Sequence, residues 1–284
     1  MGQASVVGTG IEASDRVAMK RMLNKVPEVT IFFWIIKVMA TTVGETAADF
    51  LGINLNLGLT NTTYIMSGLL AVALVFQFRA RKYVPGIYWL AVVLISIVGT
   101  LVTDNLVDNL GVPLQTTTIV FSIALAVTFA VWYVNEKTLS IHTIYTTKRE
   151  AFYWLAILFT FALGTAAGDL VAESLNWGYL LSGLLFASLI ALVAFLHFNL
   201  RVIGGVLAFW IAYILTRPLG ASFGDLLSQN RDAGGLGLGT VGTSAVFLLT
   251  ILGVVIYLSV TRKDQTPVGD GDCVASPMAL RGES

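Results

Sequence analysis

Long apolar stretches alternate with short polar connections along most of the chain. Eight stretches are continuously apolar over about the 20 residues that an α-helix needs to cross ~30 Å of hydrocarbon. Strands of a membrane β-barrel would be shorter and would alternate apolar with polar residues. The predicted spans are 31–54, 62–78, 88–110, 117–134, 152–174, 179–198, 206–228 and 243–260. The pattern predicts an all-α, polytopic membrane protein with eight transmembrane helices.

Composition supports this class. Of the 284 residues, 56% are hydrophobic and 12% are charged, and that charged share is about half of what soluble domains carry. The formal net charge is zero, which gives no electrostatic basis for binding nucleic acid. Cys273, the single cysteine, excludes an intrachain disulfide and a cysteine metal site.

Charge divides the chain into three parts. Residues 1–30 are polar and lack the features of a signal peptide, residues 31–260 form the membrane domain, and residues 261–284 are predicted to be a disordered tail. Fourteen basic residues outside the spans fall on one side of the eight-helix topology, and only Arg231 falls on the other. The positive-inside rule therefore predicts that both termini are cytoplasmic, in a multi-pass protein whose first partner is the lipid bilayer.

The chain repeats itself four times. Each copy has an aromatic residue followed by tryptophan, then glycine ten residues after the tryptophan, then aspartate five residues after the glycine. The copies are Phe33-Trp34…Gly44…Asp49, Tyr88-Trp89…Gly99…Asp104, Tyr153-Trp154…Gly164…Asp169 and Phe209-Trp210…Gly220…Asp225. The approximate units are 25–82, 83–137, 148–201 and 202–260. With two spans each, they share one orientation, which predicts four parallel helical hairpins around an axis along the membrane normal.

The sequence resembles a family of bacterial membrane proteins, often described as uncharacterised membrane-anchored proteins, that are built from four tandem repeats of unknown function. The resemblance covers about residues 25–260. Its most specific stretches are KVPEVT at 25–30, ATTVGETAAD at 40–49 and LTRPLGASFGD at 215–225. It implies two spans and a characteristic tryptophan per repeat, and location in a bacterial inner membrane, but no activity.

Acidic residues recur around the motif aspartates. One helical turn separates the members of three carboxylate pairs, whereas Asp225 has only Gln229 at that offset. The pairs are Glu45 with Asp49, Asp104 with Asp108, and Asp169 with Glu173. Two carboxylates one turn apart repel each other unless a cation, a proton or a base lies between them. The pairs indicate cation handling, while the alternative is that the aspartates are anchors near the outer interface.

Three charged residues lie deeper in their spans. They are Lys37, Glu45 and Arg217, and an unpaired charge at the centre of a membrane costs at least ~2.5 kcal/mol. If the motif helices surround an axis in order, the last is adjacent to the first. Arg217 or Lys37 then neutralises Glu45, either as a permanent salt bridge or as a pair that a cation can displace.

Other repeated residues suggest packing. Pro218 is predicted to bend its helix or to interrupt it beside a cavity. The small residues Gly44, Gly99, Gly164 and Gly220 are expected to let helices pack closely in an inner ring. Trp34, Trp89, Trp154 and Trp210 are interpreted as anchors in the membrane's aromatic belt.

We find no pattern of an enzyme or of a cofactor site. The histidines, His142 and His197, have no zinc or haem spacing, and the GLGTVG stretch at 237–242 follows no βαβ strand. The leading hypothesis is a transporter or channel for a small hard cation such as Mn²⁺, Mg²⁺ or Ca²⁺, or for protons. In it the four aspartates form a ring, with Glu45 and Asp49 as the candidate metal ligands.

Two alternatives remain open at this stage. One is a non-transporting sensor, assembly factor or scaffold whose polar ring is structural, and the other is an exporter of small organic cations. The sequence does not specify the oligomeric state.

Overall fold

A computed structural model describes residues 24–54 and 57–265. The described residues leave out most of the polar N-terminal segment. They also leave out residues 266–284 of the tail, which include Cys273. Within the described residues, every regular element is helical. The long helices are α1 (Ile31–Asp49), α2 (Leu59–Arg79), α3 (Pro85–Asp104), α4 (Leu114–Glu136), α5 (Thr147–Asp169), α6 (Gly178–Phe198), α7 (Gly205–Ser228) and α8 (Gly239–Thr261).

All eight long helices have the length and apolar composition of membrane spans. The predicted all-α fold with eight spans is therefore confirmed, with ends that differ by a few residues. Even-numbered helices expose large apolar side chains over much of their length, whereas α1, α3, α5 and α7 are mostly buried. This distribution places the even-numbered helices against lipid.

The four motif helices form a closed inner ring. In it α1 packs against α3, α3 against α5, α5 against α7, and α7 against α1. Each outer helix packs on the inner helix of the following repeat: α2 on α3, α4 on α5, α6 on α7 and α8 on α1. The predicted arrangement of four parallel two-helix repeats is confirmed. The two helices of a repeat do not pack mainly on each other, as they would in a simple hairpin, because each outer helix packs on the following repeat. The repeats therefore interlock around the axis.

The motif glycines set the spacing of the inner ring. Each faces the residue three positions before the motif glycine of the next repeat. The contacts are Gly44 with Ser96, Gly99 with Phe161, Gly164 with Arg217, and Gly220 with Thr41. A Cβ atom at any of the four positions would overlap that neighbour. The glycines thus allow the close helix approach that the sequence predicted.

Pro218 does not interrupt its helix, contrary to one of the two predicted outcomes, because α7 continues through it from Gly205 to Ser228. Its ring packs beside Gly164 and Gly168 of α5. The proline therefore fills a groove that two glycines leave open.

Three motif helices end in a π-helical turn that the sequence did not reveal. These turns are Phe50–Asn54, Asn105–Asn109 and Leu170–Ser174, and each begins directly after the motif aspartate. A π turn adds one residue per turn, and such turns are frequent at functional sites. In the fourth repeat the α-helix instead continues past Asp225 to Ser228, so the repeats differ at this end.

The chain before α1 crosses the end of the bundle where the motif tryptophans lie, which we call the tryptophan end. Backbone hydrogen bonds join Lys25 to Ile144 and Glu28 to Asp264. The Lys25 ammonium also donates to Glu150 at 2.7 Å, and both side chains are buried. The segment before α1 is thus joined to the connection between the second and third repeats, to the start of α5 in the third repeat and to the residues after α8.

Candidate functional site

A cavity of about 160 Å³ opens at the opposite end of the ring, which we call the aspartate end. All four repeats contribute to it. Its polar lining consists of Glu45, Asp49, Asp104, Asp108, Asp169, Glu173, Tyr179, Asp225 and Gln229. The structure thus brings together every acid that the sequence singled out. Leu59, Val107 and Leu114 complete the walls.

Exposure falls along this acidic cavity. Asp108 and Glu173 are exposed, and Asp49, Asp104 and Asp169 are half-buried. Asp225 and Glu45 are only 8% and 6% exposed. Within the described residues none of the four motif aspartates forms an ion pair. The acids that line this cavity, which we call the acidic funnel, thus become more buried toward Glu45.

A preformed metal centre is not present in the described part of the chain. No three Asp, Glu, His or Cys side chains there are grouped closely enough to hold a metal ion. The candidate ligand Glu45 already accepts a hydrogen bond from Arg217. The metal site at Glu45 and Asp49 stays a prediction, and a metal ion there would compete with Arg217 for Glu45.

Arg217 lies on the axis just beyond the funnel and is fully buried. Its Nη2 donates to the Glu45 carboxylate at 2.8 Å, and Nη1 donates to the Thr41 carbonyl at 3.2 Å. Of the two basic partners that the sequence proposed for Glu45, the structure selects Arg217. The bridge joins the fourth repeat to the first.

Two threonines complete the environment of the Arg217 guanidinium. Nη2 also donates to the Thr165 hydroxyl at 2.7 Å and to the Thr100 hydroxyl. Glu45, Thr100 and Thr165 each follow the motif glycine of their repeat, so one side chain binds the same position in three repeats. The threonines had no predicted role, although their occurrence at the position equivalent to Glu45 was a signal that the sequence offered.

Lys37 does not pair with Glu45, so this predicted alternative is wrong for the observed conformation. Its side chain is fully buried, and Nζ has no hydrogen-bond partner among the described residues. The nitrogen lies 4.1 Å from the Phe161 ring centroid and 4.2 Å from that of Tyr213. Cation–π contact replaces a salt bridge here.

The motif aromatics form a closed ring, which we call the aromatic collar. In each contact, the residue before a motif tryptophan touches the tryptophan of the next repeat. Centroid distances are 5.6 Å for Phe33 to Trp89, 5.5 Å for Tyr88 to Trp154, 6.2 Å for Tyr153 to Trp210 and 5.7 Å for Phe209 to Trp34. Trp89, Trp154 and Trp210 are at most 4% exposed. The predicted role as lipid-facing belt anchors is therefore wrong for these three, because they pack against each other's repeats.

A second, mostly apolar cavity of about 630 Å³ lies beside the collar, between the ends of α6 and α7 and residues 139–142. His142 and His197 both line it. His142 Nδ1 lies 3.4 Å from Glu28 Oε2, and His197 Nδ1 is 2.9 Å from the Ile203 carbonyl. Both imidazoles thus have a protein partner.

Comparison with known proteins identifies the repeats. The sequence model described as Repeat of Unknown Function (DUF347) matches residues 32–83, 87–138, 152–201 and 208–264. No curated protein and no solved structure match the chain.

Proposed function

We propose that this chain, which belongs to the DUF347 family of repeats of unknown function, transports a small cation across a bacterial inner membrane along the axis between its repeats. One observation carries the proposal. Acids from all four repeats line a single funnel, and its most buried acid, Glu45, accepts a hydrogen bond from Arg217.

The charges along the axis suggest how selection works. Unpaired carboxylates at the mouth concentrate cations and repel anions. Arg217 occupies the axis behind them and neutralises Glu45, so a cation advances only when it competes with the guanidinium for that carboxylate. We infer that Arg217 acts as a tethered cation that blocks the path until a substrate replaces it.

The dimensions of the funnel favour a small ion. Its volume of about 160 Å³ is below the ~300–1,000 Å³ that is typical of small-molecule sites, which argues against export of organic cations. The oxygen lining suits hard ions such as Mn²⁺, Mg²⁺ or Ca²⁺, or protons. Because the acids of the described chain are not grouped as metal ligands, we propose that a divalent ion enters hydrated.

The test is cation flux into liposomes that contain the purified full-length chain, with Mn²⁺, Mg²⁺, Ca²⁺ and protons as the probes. The variant replaces Asp49, Asp104, Asp169 and Asp225 with Asn. Asp232→Asn is the matched control, because Asp232 is exposed near the same end but does not line the funnel.

We expect cation flux in wild type and in Asp232→Asn, and loss of flux in a fourfold variant that keeps its thermal stability. A scaffold or sensor, the rival function, predicts no flux in wild type and a fourfold variant that loses stability. Arg217 bridging three repeats is the observation that favours this rival.

A further inference from the structure

Lys37 lies on the axis between the aromatic collar and Arg217. It is two helical turns before Glu45 on α1, about 12 Å away at 1.5 Å per residue. Its ammonium group shares the Phe161 ring with the Arg217 guanidinium, whose Cζ is 5.8 Å from the ring centroid. From the funnel toward the tryptophan end, the axis thus passes one carboxylate, Glu45, and then two basic groups, Arg217 and Lys37.

No acid faces Lys37 from the helices packed around α1. From α7 it meets Tyr213 and Arg217, and from α5 it meets Phe161. The acid of α3, Asp104, lies at the funnel, and α8 contains no Asp, Glu, Lys, Arg or His. On its own helix the nearest acid is Glu45, which is engaged by Arg217.

Packing alone does not explain a lysine at this position. The equivalent residues of the other repeats, seven before the motif glycine, are Val92, Ile157 and Tyr213. An ammonium group without a counter-ion inside a membrane is costly, and a cation–π contact offsets about 0.5–2 kcal/mol of this cost. Lysine differs from arginine in one useful respect, because its amine can release a proton.

Buried polar atoms without partners continue from Lys37 toward the tryptophan end. Among the described residues, the Tyr213 hydroxyl and the indole nitrogens of Trp89 and Trp154 have no hydrogen-bond partner. Buried polar groups of this kind are usually satisfied by water. These atoms give a proton polar groups to pass between Lys37 and the tryptophan end.

We propose that Lys37 is the proton-binding site of a cation/proton exchanger, an inference that rests on the transport function proposed above. A substrate cation that reaches Glu45 adds positive charge beside Arg217 and Lys37. The Nζ–H bond of Lys37 then breaks, its electron pair stays on nitrogen and a water molecule takes the proton. When the substrate leaves, the Nζ lone pair binds a proton again.

The experiment records Mn²⁺ flux and lumenal pH together in liposomes that contain the full chain. Lys37→Met removes the amine, and Lys37→Arg keeps the positive charge but cannot release the proton. Lys82→Met is the control, because Lys82 is exposed and lies between spans. Size-exclusion profiles and thermal unfolding show which variants fold. If Lys37→Met does not fold, Lys37→Arg is the test variant.

In wild type and Lys82→Met, we expect Mn²⁺ entry to drive protons out. In a folded Lys37 variant, we expect this proton movement to be lost. Mn²⁺ flux without proton movement in wild type overturns the exchange but leaves transport intact. Undiminished exchange in a folded Lys37 variant overturns the assignment of Lys37 as the proton-binding site and also leaves transport intact. Absence of any cation flux in wild type overturns both proposals.

Discussion

The Arg217 guanidinium in the fourth repeat donates to the Glu45 carboxylate in the first, with 2.8 Å between Nη2 and Oε2. Arg217 is fully buried and Glu45 is only 6% exposed. The bridge joins the two ends of the repeat array at the point where the acidic funnel ends. It therefore contributes to closure of the ring, and in the function that we propose it also blocks the axis.

Removing one member of this bridge leaves the other charged and buried. We expect Arg217→Met to lower the free energy of unfolding by about 3–5 kcal/mol, measured by thermal or denaturant unfolding in detergent. Adding Glu45→Gln to Arg217→Met should restore part of the loss. Arg231→Met, at an exposed position, is the control. Equal stability of all these variants contradicts a structural contribution of the bridge.

The glycine contacts predict that the stability lost on a Gly→Ala substitution depends strongly on where the glycine lies. Gly220→Ala places a Cβ against Thr41, whereas a Cβ at Gly68 meets nothing within 4 Å. We expect Gly220→Ala to destabilise the bundle by about 1–3 kcal/mol and Gly68→Ala to have little effect. Unfolding midpoints measured in one detergent check this. Similar midpoints for the two variants would show that the inner ring tolerates looser packing.

The aromatic collar predicts that a motif tryptophan behaves as a core residue. Trp89 is 2% exposed, while Trp177, at the aspartate end, is 48% exposed. We expect Trp89→Ala to cost about 3–5 kcal/mol of stability and Trp177→Ala much less. Acrylamide quenching provides a second readout, since buried indoles are protected. Equal costs at the two positions would favour the belt interpretation.

The carboxyl group of Asp264, which lies outside the membrane spans, predicts that the stability of the folded chain depends on pH. Its carboxylate accepts a hydrogen bond from Tyr83 at 2.6 Å, but Oδ1 has no partner among the described residues. Burial raises the pKa of Asp264, and the Tyr83 hydrogen bond offsets part of this rise. The folded chain thus holds this proton to higher pH than the unfolded chain, so the contribution to stability falls as pH rises through that interval.

Asp264→Asn removes this ionisation. We expect a higher unfolding midpoint than wild type at pH 7. The difference should shrink as the pH falls through the raised pKa toward about 4, the usual value for aspartate, and should be smallest below it. The exposed Asp232→Asn variant is the control. A difference that does not vary with pH would show that the carboxylate does not titrate in this way.

Local pattern was enough to predict the spans and the ring. Continuous apolar runs gave the eight helices, and the identical offsets of Trp34, Gly44 and Asp49 in each repeat implied equivalent positions around an axis. Because two spans per repeat preserve orientation, the adjacency of Arg217 and Glu45 followed from topology.

Other features depended on contacts between repeats. Aromatic residues near a membrane helix end are typical of both a lipid-facing belt and a buried collar, and only the contact of Tyr88 with Trp154 distinguishes them. Similarly, Lys37 and Arg217 were equivalent partners for Glu45 on the sequence. Side-chain reach decided between them, since Arg217 extends across the axis while Lys37 is held between two rings.

The most direct test of the central claim is whether cations pass through the funnel. In a Cys273→Ser background, Asp104→Cys places one thiol in the funnel. Asp232→Cys places one at an exposed position near the same end that does not line the funnel. A membrane-impermeant, positively charged thiol reagent is added to each, and cation flux into liposomes is measured before and after complete labelling. The account predicts that labelling at position 104 blocks flux, from the aspartate end only, and that labelling at position 232 does not. Undiminished flux after complete labelling at position 104 would contradict it.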